Sequence, residues 1–106
     1  MEIQYHKQRI IKDIKNEDMQ VQITGYVKDI ESEYIILDDE SGEIKVIVKD
    51  VNYDFKKKDL INVLGEINLS MDGEKILNAT IIQDMNKLNF KYYKKLYKIR
   101  KELEKT

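Results

Sequence analysis

From Met19 to Ile30 the chain alternates, placing Val21, Ile23, Gly25 and Val27 on one side and Gln20, Gln22, Thr24, Tyr26 and Lys28 on the other. A period of two marks a half-buried β-strand. The glycine at its centre constrains the fold most. A strand interior gains nothing from a missing side chain, so Gly25 marks a place where the strand bends sharply or another backbone comes close. Both needs arise in a sheet that closes on itself rather than in a flat one, and the chain is expected to form a barrel.

The remaining pattern supplies the other strands. Tyr34 to Leu37 and Ile44 to Val48 are short apolar runs joined by Asp38-Asp39-Glu40-Ser41-Gly42-Glu43, a hairpin in which Gly42 is expected to take the positive φ of the turn. In this register Ile44, Val46 and Val48 face the core, with Lys45, Ile47 and Lys49 outward. Residues 51–58 break the alternation and read as a loop or short helix whose Tyr53 and Phe55 plug the barrel bottom. Ile61, Val63, Gly65 and Ile67 then alternate within Asp59 to Asn68, and a turn at Met71-Asp72-Gly73 leads into Lys75 to Gln83. Five strands with a glycine-kinked first strand, an irregular link between the third and fourth, and a final helix make the plan of a five-stranded OB-type barrel. The fold class is thus all-β with one long C-terminal amphipathic helix. Residues 1–85 form the barrel with a short N-terminal extension, and residues 86–106 form the helix of the same domain. Tyr5 to Lys15 reads as a short strand or turn packed on the barrel.

In the last quarter, Leu88, Tyr92, Leu96, Ile99 and Leu103 recur at spacings of four, four, three and four, which lines one helix face. Phe90, Tyr93 and Tyr97 form an adjacent stripe. Together they are wider than a small barrel needs to cover its own core, so part of this face is expected to dock a partner helix. The candidate partner surface is Leu88, Tyr92, Tyr93, Leu96, Tyr97, Ile99 and Leu103.

Charge divides along the same boundary. The net charge of −1 conceals a helical segment, residues 86–106, with eight Lys or Arg against two Glu, and a body, residues 1–85, with 11 against 18 Asp or Glu. The helix segment is +6 and the body −7. Non-specific affinity for nucleic acid comes mainly from cations that displace condensed counterions, so such a body grips phosphates weakly unaided.

The chain excludes several classes of function. It has no cysteine, so disulfides and thiolate zinc sites are out, and its single histidine, His6, has no second ligand or catalytic partner beside it in the sequence. Asp38, Asp39, Glu40 and Glu43 lack the spacing of an EF-hand loop and read as a charged turn. No phosphate loop, nucleophile elbow or dinucleotide fingerprint appears, and neither an enzyme nor a cofactor is expected. No apolar run reaches the roughly 18 residues of a membrane span and no secretory signal is seen, so the expected setting is the cytoplasm or nucleoid, or the nucleus of a eukaryote.

Over roughly residues 9 to 100 the chain resembles the replication protein A family, closest to its middle subunit and that subunit's telomere-capping relatives. The resemblance is carried by Ile10-Ile11-Lys12-Asp13-Ile14, by Val21-Gln22-Ile23-Thr24-Gly25-Tyr26-Val27 and by Leu37-Asp38-Asp39-Glu40-Ser41-Gly42-Glu43-Ile44. More specific is Val63-Leu64-Gly65-Glu66-Ile67 followed by Asp84-Met85-Asn86-Lys87-Leu88-Asn89-Phe90, which is similar to the middle subunit's strand-to-helix junction. The resemblance implies a C-terminal helix bundled with helices of larger and smaller subunits, and single-stranded DNA across the barrel with bases stacked on aromatics. Where the family places two stacking aromatics, this chain has Lys49 and Met71.

The candidate nucleic-acid surface is Tyr26, Lys28, Tyr34, Lys45, Lys49, Met71 and Lys75, and Lys56-Lys57-Lys58 reads as a solvated loop. The resemblance, with the broad apolar helix face beside it, implies a non-catalytic accessory subunit of a replication protein A-like complex, acting in DNA replication or repair. It would bind single-stranded DNA weakly alone and assemble through its helix, with itself or with partner subunits. Two other readings stay open. One is a stand-alone OB-fold RNA or tRNA-binding module, and the other a pure protein-interaction subunit.

Overall fold

The computed structural model describes residues 6–104. Its elements are β1 (Lys7–Gln8), a 3₁₀ turn (Ile11–Asp13), β2 (Gln20–Ile30), β3 (Tyr34–Asp38), β4 (Glu43–Ile47), β5 (Leu60–Leu69), β6 (Lys75–Asp84) and α1 (Phe90–Glu104). The strands run in the order β1-β2-β3-β4-β6-β5, and β5 pairs back onto β2, closing a five-stranded barrel to which β1 is added. The closing seams differ in kind. β2 meets β5 antiparallel over seven residue pairs, whereas β4 meets β6 parallel over three, Lys45 to Ile47 against Ile76 to Asn78.

The barrel interior is aliphatic. Val21, Ile23, Val27, Ile35, Leu37, Val46, Ile61, Val63 and Leu77 are all buried to within 1% exposure, which fixes the register of every strand, since a slip of one residue would turn each of them outward. Tyr53 and Phe55 of the β4–β5 link pack on this core with ring centroids 4.9 Å apart, as a plug would.

Close backbone contact explains the strand glycines. A Cβ on Gly25 would stand 3.0 Å from the Asp38 carbonyl oxygen of β3, and one on Gly65 only 2.1 Å from the Asn78 carbonyl oxygen of β6. The second is the tighter, and it coincides with a register shift between Leu64 and Gly65.

The β3–β4 turn differs from expectation. Glu40, not Gly42, takes the left-handed conformation, at φ 72°. Its short loop is stabilised by side chains instead, because the Asp38 carboxylate accepts the Glu40 N–H and the buried Asp39 carboxylate accepts the N–H and hydroxyl of Ser41. Gly42 serves another purpose, since a Cβ there would meet the Ile11 side chain at 3.2 Å.

That contact belongs to the N-terminal segment, which the sequence pattern left between strand and turn. Tyr5 lies outside the described residues. From Lys7 onward the segment does both, pairing parallel with β2 at Val21 and Gln22 and then winding into the 3₁₀ turn. Asp39 fastens it by accepting the Ile11 N–H at 2.7 Å, and the Ser41 hydroxyl accepts the Lys12 N–H.

The junction into α1 is equally specific. Asp84 accepts the Asn86 N–H, Asn86 accepts the Leu60 N–H, and the Asn89 side chain accepts the Tyr92 N–H as an N-cap. The helix therefore starts at Phe90, four residues after the expected residue 86.

Candidate functional site

α1 begins against Tyr26 of β2 and then runs along β1 and the 3₁₀ turn. Phe90 meets the Tyr26 ring edge-on at 5.2 Å, the Gln8 amide donates to the Tyr93 hydroxyl, and the Tyr97 hydroxyl donates to Asp13 at 2.8 Å. Thr24 is buried although it lies on the Gln22 and Tyr26 side of β2, and its hydroxyl donates to Asn62, whose amide reaches Gln22 and Gln83. The sequence pattern, reading β2 alone, assigned that face to solvent.

The two apolar stripes of α1 therefore part company. Phe90, Tyr93 and Tyr97 form the inner one, Tyr97 being only 9% exposed. The outer one remains open, with Tyr92 at 60%, Leu96 at 38%, Ile99 at 51% and Leu103 at 69%, and with Leu88 half-buried at its start. Tyr93 and Tyr97 are thereby removed from the candidate partner surface. Their hydroxyls are committed to Gln8 and Asp13. Partial burial opposes ionisation of Asp13, yet bonds from Lys101 and Tyr97 hold its carboxyl below the usual range. Burial, aided by the bond to Asp13, pushes the Tyr97 hydroxyl up to about 12.

The candidate nucleic-acid residues are also dispersed. Tyr26 is half-buried and in edge-to-face contact with Phe90, so its ring is engaged by α1. Lys28 is exposed but paired with Glu43. Lys75 falls on the same side of β6 as buried Leu77, and its ammonium donates to the Ile14 carbonyl at 2.8 Å, so it is turned from the outward face. Met71 is fully exposed in the β5–β6 turn, and Lys49 is exposed just beyond β4.

What the structure does bring together is Tyr34 and Lys45. They lie on neighbouring strands β3 and β4, and the Lys45 ammonium sits 4.4 Å from the Tyr34 ring centre. Around them Ile36, Ile47 and Ile76 are half-buried on the same outward face. A base stacking on Tyr34 would displace Lys45, but an exposed cation–π contact is worth about 0.5–1 kcal/mol against about 1–3 kcal/mol for a stacked base. The freed ammonium would then be placed for a phosphate.

Other features support no separate chemistry. Among the described residues no group of three or more His, Asp or Glu side chains is arranged to hold a metal ion, and the acidic turn uses Asp38 and Asp39 on backbone N–H groups. Among them, too, no helix is long and apolar enough to cross a membrane.

A closed five-stranded barrel of this strand order, with a parallel β4–β6 seam and a terminal helix packed on its side, is an OB-fold. Solved structures share it. The telomere capping protein Ten1 of Saccharomyces pombe superposes with a TM-score of 0.76 at 20% identity, over 92% of this chain and 99% of that one. A chain of the S. pombe Stn1-Ten1 complex gives 0.77 at 20% identity, over 93% and 94%. A chain of a replication protein A heterotrimer bound to single-stranded DNA gives 0.64 at 14% identity, over 81% and 73%. The resemblance expected from the sequence is thus present as a resemblance of fold. No protein-family model matches the sequence, and no curated protein sequence matches it.

Proposed function

We propose that this protein is a non-catalytic OB-fold subunit of a replication protein A-like complex on single-stranded DNA, held in that complex by the outer stripe of α1. The observation that carries this reading is the exposed apolar row Tyr92, Leu96 and Ile99, continued by Leu103, on a helix whose inner stripe packs on Tyr26, Gln8 and Asp13. A lone helix in water has no reason to keep such a row, whereas a helix-on-helix contact would bury it. The fold likeness to a Stn1-Ten1 complex and to a replication protein A heterotrimer supports an assembly of this kind. Its place of work would be chromosomal DNA, in the nucleus of a eukaryote or the nucleoid otherwise.

The barrel's share of DNA binding is modest in this reading, with Tyr34, Lys45 and Lys49 contributing one weak site. Linking several weak sites raises affinity without new contacts, so the complex would bind tightly where the chain alone does not. Nanomolar binding of a short single strand by the isolated chain at physiological salt would overturn the accessory role.

The decisive test is co-expression with OB-fold chains of the same genome that carry an amphipathic C-terminal helix, followed by mass measurement of the purified product. A heteromer is expected, and Leu96→Asp with Ile99→Asp should abolish it while the melting temperature of the barrel holds. A variant that unfolds, or a wild-type chain that stays apart from every such partner, would refute the reading.

A further inference from the structure

The outer surface of α1 has a second flank. With 3.6 residues per turn, Lys91, Lys95 and Lys98 fall on one side of the outward face, and Tyr92, Leu96, Ile99 and Leu103 on the other. Two contacts orient the helix. Lys94 pairs with Glu40 of the β3–β4 turn, and Arg100 donates to Gln8 of β1. The lysine flank therefore overhangs the hairpin turn, while the apolar flank overhangs β1.

Between the lysine flank and the body runs a groove of about 430 Å³, lined by Lys12, Asp13, Glu40, Lys94, Lys98 and Lys101 among others. Its charges divide into two sets. Lys94 and Lys101, nearer the barrel, neutralise Glu40 and Asp13. Among the described residues Lys12, Lys91, Lys95 and Lys98 are exposed and form no ion pair, although Lys12 lies near enough to Asp13 to favour its charged form, and of the two glutamates of α1 it is Glu102 that lines the groove. Within the groove Lys94 and Lys101 thus answer Glu40 and Asp13, while Glu102 and buried Asp39 also line it, and Lys91, Lys95 and Lys98 stand exposed along the rim. The outward barrel face offers a single exposed lysine, Lys49, since Lys28 and Lys75 are engaged and Lys45 lies on Tyr34.

We propose that Lys91, Lys95 and Lys98, with Lys12 across the groove, form a phosphate track for single-stranded DNA that is distinct from the outward barrel face. Along the helix axis the three lysines are spaced by about 6 and 4.5 Å, so one extended backbone can meet them in succession. Because the apolar flank is separate, a docked partner helix leaves the track open. The proposal rests on the DNA-binding half of the functional reading and is independent of which partner binds.

The test uses the full chain, a fluorescent oligo-dT and a matching oligo-rU, titrated between 50 and 200 mM salt. Each phosphate neutralised on a single strand contributes a slope of about −0.7 in log K against log salt. The Lys91→Gln, Lys95→Gln, Lys98→Gln variant should therefore show a slope shallower by about 2 and bind oligo-dT roughly a hundredfold more weakly at 50 mM salt. It should still assemble with the partner subunit. Unchanged slope and affinity would overturn the track, as would failure of the wild-type chain to bind at 50 mM salt. Loss of binding in Lys45→Gln, Lys49→Gln instead would return the site to the barrel face and leave the assembly reading standing. Strong preference for oligo-rU would reassign the track to RNA.

Discussion

Single atoms decide where this barrel can close. Gly65 is placed by the Asn78 carbonyl oxygen, which lies where its Cβ would be, and backbone cannot step aside as a flexible side chain can. Gly65→Ala is expected to lower stability by about 1–3 kcal/mol through forced overpacking, read as a lower urea midpoint with unchanged slope. Gly73 is the contrasting case. It sits at φ 81° with open space around it, so its cost on substitution is conformational only. The alternation of β5 showed that Gly65 faces the core, but not that a neighbouring strand shifts register against it, because register shifts depend on a partner far away in sequence. For the same reason the left-handed residue of the hairpin was misread. Glycine is the usual occupant, yet here Asp38 and Asp39 supply enough local hydrogen bonds to hold Glu40 in that conformation.

At the level of elements, patterns with a repeat were legible and those without one were not. β2 to β6 carry a period of two and lie within a residue or two of where that period puts them. β1 is two residues long and carries no period at all. For α1 the spacing revealed both stripes, but a stripe does not announce which side meets the barrel. That choice is made by Gln8, Asp13 and Tyr26, which give Tyr93, Tyr97 and Phe90 their partners. The candidate site suffered accordingly, because Tyr26 and Tyr97 were read as surface when Tyr26 packs on Phe90 of α1 and Tyr97 bonds to Asp13 of the 3₁₀ turn. Tyr97→Phe should keep the ring packed but lose the bond to Asp13, costing about 1 kcal/mol. Faster amide exchange at Lys7 and Gln8, with the barrel core unchanged, would show that the bond secures the N-terminal segment.

Across the whole molecule, stability is expected to fall off at both ends of the pH scale. Asp13 and Asp18 resist ionisation through partial burial, but hydrogen bonds from Lys101 and Tyr97 to the first, and from Arg9 to the second, leave both carboxyls below their ordinary values. Their contribution is complete above the unfolded value of about 4 and is lost as pH falls through the lower folded values. Tyr97 acts in the opposite sense, contributing fully below about 10 and losing its contribution as pH rises toward about 12. Urea midpoints measured from pH 2 to 6 should therefore drop on acidification, and Asp13→Asn should flatten that limb. The same ties have a consequence in time. Gln8 and Asp13 are made before the helical groups that hold them, Tyr93, Tyr97 and Lys101, which come more than eighty residues later. All five barrel strands are complete by Asp84, so the barrel can close with its own ties to this segment, at Val21, Asp39 and Ser41, before α1 adds the rest. α1, formed after the barrel, then clamps a segment that was made before it.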